Sequence, residues 1–138
     1  MFTIRPFQSA DEERVIDIWR ACKLVVPWNE PSKDIGCKTA FQPDLFFVVL
    51  ENKNVIGTVM AGYEGHRGWI HYLAVDPEFQ GRGVGRLLME HAEQRLKAMG
   101  CPKINLQVRT GNRAVIAFYR KLGYQVDEVV CMGKRIRN

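Results

Sequence analysis

One stretch in the middle of this 138-residue chain constrains its fold more than any other. Trp69-Ile70-His71-Tyr72-Leu73-Ala74-Val75 is rich in aromatic and β-branched residues and reads as a strand ended by Asp76-Pro77. Beyond it, Val84, Leu87, Leu88, His91, Ala92, Arg95 and Met99 mark one face of a helix running to Gly100, and Ile104 to Val108 is strand-like again. A strand, a turn, a helix and a second strand make a crossover unit. The turn is Gln80-Gly81-Arg82-Gly83-Val84-Gly85-Arg86. Successive amides at a helix start, with the helix dipole behind them, form an anion site for which phosphate is the expected guest. Glycines let the backbone approach without a Cβ and adopt positive φ. A nucleotide-hydrolysing P-loop needs Gly-Lys-Ser/Thr after its last glycine, and none follows Gly85. A dinucleotide fingerprint starting at Gly81 needs glycine at Arg86, and one starting at Gly83 needs it at Leu88, so that reading fails too.

The flanking segments complete one continuous domain, residues 1–138, without repeats or linkers. Thr3 to Pro6 is extended. Ser9 and Glu12 form a capping box ahead of a helix over Ala10 to Cys22, whose face is Val15, Ile16, Trp19 and Cys22. Leu24 to Pro31 is irregular, and Ile35, Lys38 and Phe41 mark a second helix. Phe46 to Leu50 and Val55 to Ala61 are strands joined by a hairpin turn at Glu51-Asn52-Lys53-Asn54. Arg113 to Leu122 is helical with Gly123 as its C-cap, and Gln125 to Val130 with Met132 to Ile136 closes a final hairpin. The fold class is α/β with a mixed sheet.

Net charge is +5, but residues 1 to 80 carry −3 and residues 81 to 138 carry +8, so an anionic partner is expected for the second half. Cys22, Cys37, Cys101 and Cys131 form no C-x-x-C pair and have no His at ligand spacing, which suggests no metal. The longest charge-free run, Asn54 to Tyr63, is ten residues, too short to span a membrane. Met1 to Phe7 lacks a secretory apolar core, and a cytoplasmic protein is expected. No recognised nucleic-acid reading motif is present, and no nucleic-acid partner is expected.

The pattern Q-x-x-G-x-G after Leu73-Ala74-Val75 and before an amphipathic helix resembles the acetyl-CoA motif of the GCN5-related N-acetyltransferases, the GNAT family. Asn112-x-x-x-Ile116-x-Phe118-Tyr119-x-x-x-Gly123-Tyr124 resembles that family's later motif, with Val115 where the pattern has a small Ala. The element order resembles the family's over essentially the whole chain. Pro27-Trp28-Asn29, the turn Gly62 to Gly68 and Gly100-Cys101-Pro102-Lys103 look like the YpeA type of small bacterial acetyltransferase. The resemblance implies a mixed, mainly antiparallel sheet flanked by about four helices. It also implies acetyl-CoA as cosubstrate, its pyrophosphate on the amides of Gln80, Gly81, Arg82, Gly83, Val84, Gly85 and Arg86. The pantetheine arm would lie along Leu73, Ala74 and Val75, with Asn112 contacting it. An amine acceptor, on a small molecule or a protein, completes the expected partners; a homodimer is compatible with the sequence.

Acetyl transfer to an amine needs a neutral nucleophile, a donor to the developing oxyanion and a proton for the leaving thiolate. A tyrosine, with an ordinary pKa near 10, stays protonated where a thiol near 8.5 does not. Tyr119 occupies the family's position for that acid. The oxyanion donor is expected among strand amides near Ala74 or Val75. Some relatives carry a glutamate base in the strand, but Trp69-Ile70-His71-Tyr72 has no carboxylate, which leaves Glu64, His66 and His71 as base candidates. Trp28 and Asn29 lie where the family shapes its acceptor pocket. The alternative reading is a non-catalytic module that binds acyl-CoA.

Overall fold

In the computed structural model, which describes residues 1–137, the chain forms two compact units, Met1–Gln107 and one starting at Val108. The first unit is a five-stranded sheet in the order β1-β2-β3-β4-β5, with β1 at Phe2–Pro6, β2 at Phe46–Glu51, β3 at Asn54–Tyr63, β4 at Gly68–Val75 and β5 at Ile104–Leu106. The first four strands pair antiparallel, and β4 pairs parallel with β5. Helices α1 (Glu12–Ala21), α2 (Pro31–Ala40) and α3 (Val84–Ala98) complete the unit. The sequence-based fold class, mixed and mainly antiparallel with a strand–turn–helix–strand crossover, is what the chain adopts.

The core follows the expected periodicities. Val15, Ile18 and Trp19 of α1 and Ile35 of α2 are buried against Phe46, Val48, Met60 and Ala74. Val84, Leu88, Met89, Ala92 and Leu96 form the buried stripe of α3. Asn52 and Lys53 both take positive φ, 52° and 68°, the two-residue hairpin geometry that matches strand twist.

Three local expectations are corrected. The capping box lies one residue earlier than Ser9 and Glu12: the Gln8 amide donates to Asp11 Oδ2 at 2.9 Å, and a 3-10 turn over Ser9–Asp11 precedes α1. Arg5 explains the choice, because its guanidinium grips both oxygens of Asp11 (2.7 and 3.0 Å) and fixes that carboxylate as the cap. β5 ends at Leu106, short of Val108. The final hairpin is absent: residues 125–137 contain no strand, and Val126, Val130, Met132 and Ile136 are exposed. A two-stranded hairpin is marginal unless its apolar face is covered.

The second unit holds α4, Arg113–Lys121. Gly123, at φ 98°, closes it as expected: its amide reaches Arg120 O and that of Tyr124 reaches Tyr119 O, both at 3.0 Å, the paired bonds of a Schellman cap.

Candidate functional site

β4 organises the site in the first unit. Its pairing with β5 covers only Gly68, Trp69 and Ile70. On the other side it stays paired with β3 to its end, Ala74 against Thr58 and Val75 against Gly57. Among the described residues, no strand therefore pairs with the edge of Leu73 to Val75 away from β3. The Asp76 amide donates to Ile56 O at 2.8 Å, toward β3, so alternation turns the backbone groups of Val75 to the open side. There the Val75 carbonyl accepts from Cys22 Sγ (3.2 Å) and Gln80 Nε2 (3.0 Å). Gln80 thereby ties the glycine turn to the end of the strand.

The register slips between Thr58 and Met60, where one residue of β3, Val59, faces two of β4, Tyr72 and Leu73. The bulge centres on Tyr72, which takes φ 52°, costly for an aromatic residue. A network from four elements holds it. The Trp19 and Tyr72 rings stack at 3.8 Å, Trp19 Nε1 donates to Thr58 Oγ1 at 2.9 Å, Thr58 Oγ1 donates to Tyr72 O at 2.9 Å, and Tyr72 Oη donates to Asp34 Oδ2 at 2.5 Å. Burial and Asp34 push the Tyr72 phenol far up, so this proton stays put.

The glycine turn has the geometry of an anion cradle. Gly81 and Gly83 both sit at φ 80°, Gly83 as N-cap of α3, and a Cβ on either would project into open space. The first amides of α3 have no acceptor within the helix. Arg86 is exposed. Arg82 turns elsewhere: its guanidinium pairs with Glu51 Oε2 at 2.9 Å and lies over the rings of Phe2 and Phe79.

Where β3, β4 and α2 meet, a cleft of about 280 Å³ opens. Phe41, Met60, Trp69 and Tyr63 give it apolar walls, and Lys38, His71 and Glu64 bring charge and proton-transfer groups. Of the three base candidates, it thus joins His71 and Glu64. His66 does not line it. The Glu64 carboxylate is occupied by the amides of His66 and Arg67, both at 2.5 Å, which lower its pKa and weaken it as a base. The His71 ring opens to the cleft yet is crowded enough for desolvation, with the charge of Lys38, to lower its pKa; Asp34 opposes this. It is therefore neutral near pH 7. Trp28 and Asn29 lie in an exposed turn, Asn29 donating to Val26 O at 3.1 Å, and neither lines the cleft.

In the second unit, Asn112 is the N-cap of α4, its side chain accepting from the Val115 amide at 3.3 Å. Tyr119 is buried beside the rings of Phe118 and Tyr124, and burial pushes its pKa up to about 12.

Sequence reasoning missed Lys38, Asp34 and Thr58. Lys38 had a signal, since it follows Ile35 at helical spacing; Phe41, expected on the same helix, is extended and lies just past its end at Ala40. The pairing of Asp34 with Tyr72 crosses 38 residues and has none.

The sequence model of the GNAT acetyltransferase family matches residues 12–124, across both units. The chain belongs to the GNAT family. An acetyltransferase of Pectobacterium atrosepticum is 47% identical over 96% of this chain and 94% of its own length. Among solved structures, Ard1 from Thermoplasma volcanium superposes with a TM-score of 0.81 at 26% identity, over 91% of this chain and 84% of that one. The ribosomal-protein-S18-alanine N-acetyltransferase of Escherichia coli gives 0.74 at 26% identity, over 89% and 77%. Among the described residues no helix is long and apolar enough to cross a membrane, and no group of three or more His, Cys, Asp or Glu side chains is placed to hold a metal ion.

Proposed function

We propose that this GNAT protein, both units forming one domain, is an acetyl-CoA-dependent N-acetyltransferase that acetylates a primary amine by direct attack on the thioester. The observation that carries the reading is the open edge of β4, which leads from the bulge at Tyr72 to the glycine turn. An extended arm ending in a pyrophosphate fits such a track, adding to Leu73–Val75 as a strand would, with its phosphates on the amides of Gln80 to Arg86. The side chain of Arg86 adds charge there, whereas that of Arg82 is engaged with Glu51. Asn112, at the start of α4, contacts the arm.

Bound acetyl-CoA supplies the activated acyl group, whose C–S bond breaks as the acceptor N–C bond forms. His71, neutral near pH 7, takes the proton that the amine must lose, directly or through water. A strand amide near Ala74 or Val75 donates to the carbonyl oxygen as it gains charge, just beyond a bulge that the Thr58 hydroxyl and the Asp34 carboxylate hold in place. Tyr119 Oη gives its proton to the sulfur, and its raised pKa keeps that proton on the phenol throughout the working pH range. Trp28 and Asn29 shape the approach of the acceptor.

Release of free thiol from acetyl-CoA across a panel of amines tests this. Wild-type protein is expected to turn over at least one primary amine, and folded Tyr119→Phe to lose about 100-fold in kcat, within the usual contribution of a general acid. Unchanged turnover in Tyr119→Phe removes the acid role. Tight acetyl-CoA binding with no thiol release from any amine replaces the enzyme with an acyl-CoA-binding module.

A further inference from the structure

The cleft beside β4 contains the ammonium group of Lys38. Lys38 Nζ, half-buried on α2, donates to Ala61 O at 2.5 Å, and no ion pair among the described residues includes it. The Asp44 carboxylate acts on it by charge alone and lies 3.8 Å from Arg95. Burial pushes the pKa of Lys38 down, the mark of a cation whose desolvation is uncompensated. An ammonium has three donors, and the carbonyl uses one. Gly62 leaves the others room, since a Cβ there would stand 3.9 Å from Nζ. The remaining walls are largely apolar, with Phe41, Met60 and Trp69 prominent.

We propose that this cleft takes a small amine acceptor that also carries a carboxylate, an amino acid with an apolar side chain being the simplest member of the class, and that Lys38 recognises the carboxylate. The proposal rests on the acetyltransferase reading and names its acceptor. Size favours a small molecule, because about 280 Å³ lies at the lower end of ligand pockets. One cation matches a monoanion better than a phosphate dianion, which calls for several donors. Charge balance points the same way. A plain amine leaves the free donors of Lys38 without a carboxylate partner, whereas an amino-carboxylate supplies one, the Glu64 carboxylate of the same cleft being held by the amides of Arg67 and His66. The positive field of Lys38 then favours the neutral, nucleophilic form of the amine, as it favours neutral His71.

The test compares L-leucine with isoamylamine, which is leucine without its carboxylate, in thiol release at saturating acetyl-CoA. Wild-type protein is expected to prefer leucine in kcat/KM by about tenfold or more, the worth of one charge-assisted hydrogen bond. Lys38→Met should abolish that preference by raising KM for leucine more than KM for isoamylamine, leaving KM for acetyl-CoA unchanged, and Lys38→Arg should restore part of it. Equal kcat/KM for the two amines, or a Lys38→Met variant that loses both alike, overturns the proposal. Direct binding needs no turnover: N-acetyl-L-leucine should show saturation-transfer NMR signals with wild-type protein and not with Lys38→Met. Signals equal in both proteins refute the carboxylate site even if no amine is acetylated, and failure of acetyl-CoA itself to bind in calorimetry refutes the enzyme reading instead.

Discussion

Thr58→Val is the sharpest test of how the bulge in β4 is held. The substitution preserves shape and deletes one hydroxyl that is fully buried. That hydroxyl accepts from Trp19 Nε1 and donates to Tyr72 O, both at 2.9 Å. Valine leaves a buried indole N–H without its acceptor, at about 1–3 kcal/mol, and removes a further bond whose net worth is about 1 kcal/mol. The expected loss is therefore about 2–4 kcal/mol. With a urea m-value of about 2 kcal/mol/M, the unfolding midpoint should drop by about 1–2 M with m unchanged. Tryptophan fluorescence reads the transition from the right place, because Trp19, Trp28 and Trp69 all lie in the first unit. Thr58→Ser, which keeps the hydroxyl and loses a methyl, should retain most of the stability. A midpoint shift below about 0.3 M in Thr58→Val would show that the indole finds another acceptor and that the hydroxyl does not hold the bulge.

Gly83→Ala should cost about 1–2 kcal/mol for its positive φ, measurable by thermal unfolding, and raise KM for acetyl-CoA about tenfold or more by placing a methyl in the cradle. The acid limb of kcat/KM should have its midpoint below 6.5, the ordinary imidazole value, because desolvation and Lys38 lower that of His71, and His71→Gln should remove the limb. Tyr119 has its pKa raised from 10 to about 12, so above pH 10 the unfolded chain gives up this proton before the folded one does, and stability falls from there up to about pH 12. Tyr119→Phe should shrink that alkaline loss without changing the trend below pH 10, as read by urea midpoints against pH; Tyr72, raised likewise, keeps the remainder. Trp28→Ala should change KM for the acceptor more than KM for acetyl-CoA and leave stability nearly unaffected, because Trp28 is 55% exposed.

The half of the site that would receive the cofactor was legible because backbone chemistry writes itself into residue type. Positive φ at Gly81 and Gly83 needs glycine, and the start of α3 needs the change of period at Val84. The paired bonds that end α4 likewise need Gly123. The capping box was misplaced because Ser9 and Asp11 are both good caps locally, and the choice between them was made by Arg5 from β1. The final hairpin failed for a related reason. Alternation proposes a strand, but only a covered apolar face can secure one, and residues 125–137 contain no strand.

The acceptor half offered no comparable signature, and the reason lies in how its residues are used. Lys38 follows Ile35 at helical spacing on α2, so periodicity alone assigns it to the inner face, where a lysine looks like a long side chain reaching for water. Three facts distinguish a ligand-facing cation from that reading: a carbonyl at 2.5 Å, the lack of an ion pair among the described residues, and apolar walls brought from β3 and β4. The carbonyl and the strand walls come from residues more than 20 positions away in the chain. The same holds for Tyr72, whose αL backbone is uncommon for an aromatic residue and is supported by Trp19, Asp34 and Thr58 from three other elements. The bulge lies between His71 in the cleft and the open edge of Leu73–Val75, so one strained residue positions both ends of the proposed reaction. Loosening it through Thr58 should therefore impair acetyl-CoA and acceptor use together, whereas Lys38→Met should raise KM for the acceptor that carries a carboxylate and leave KM for acetyl-CoA unchanged.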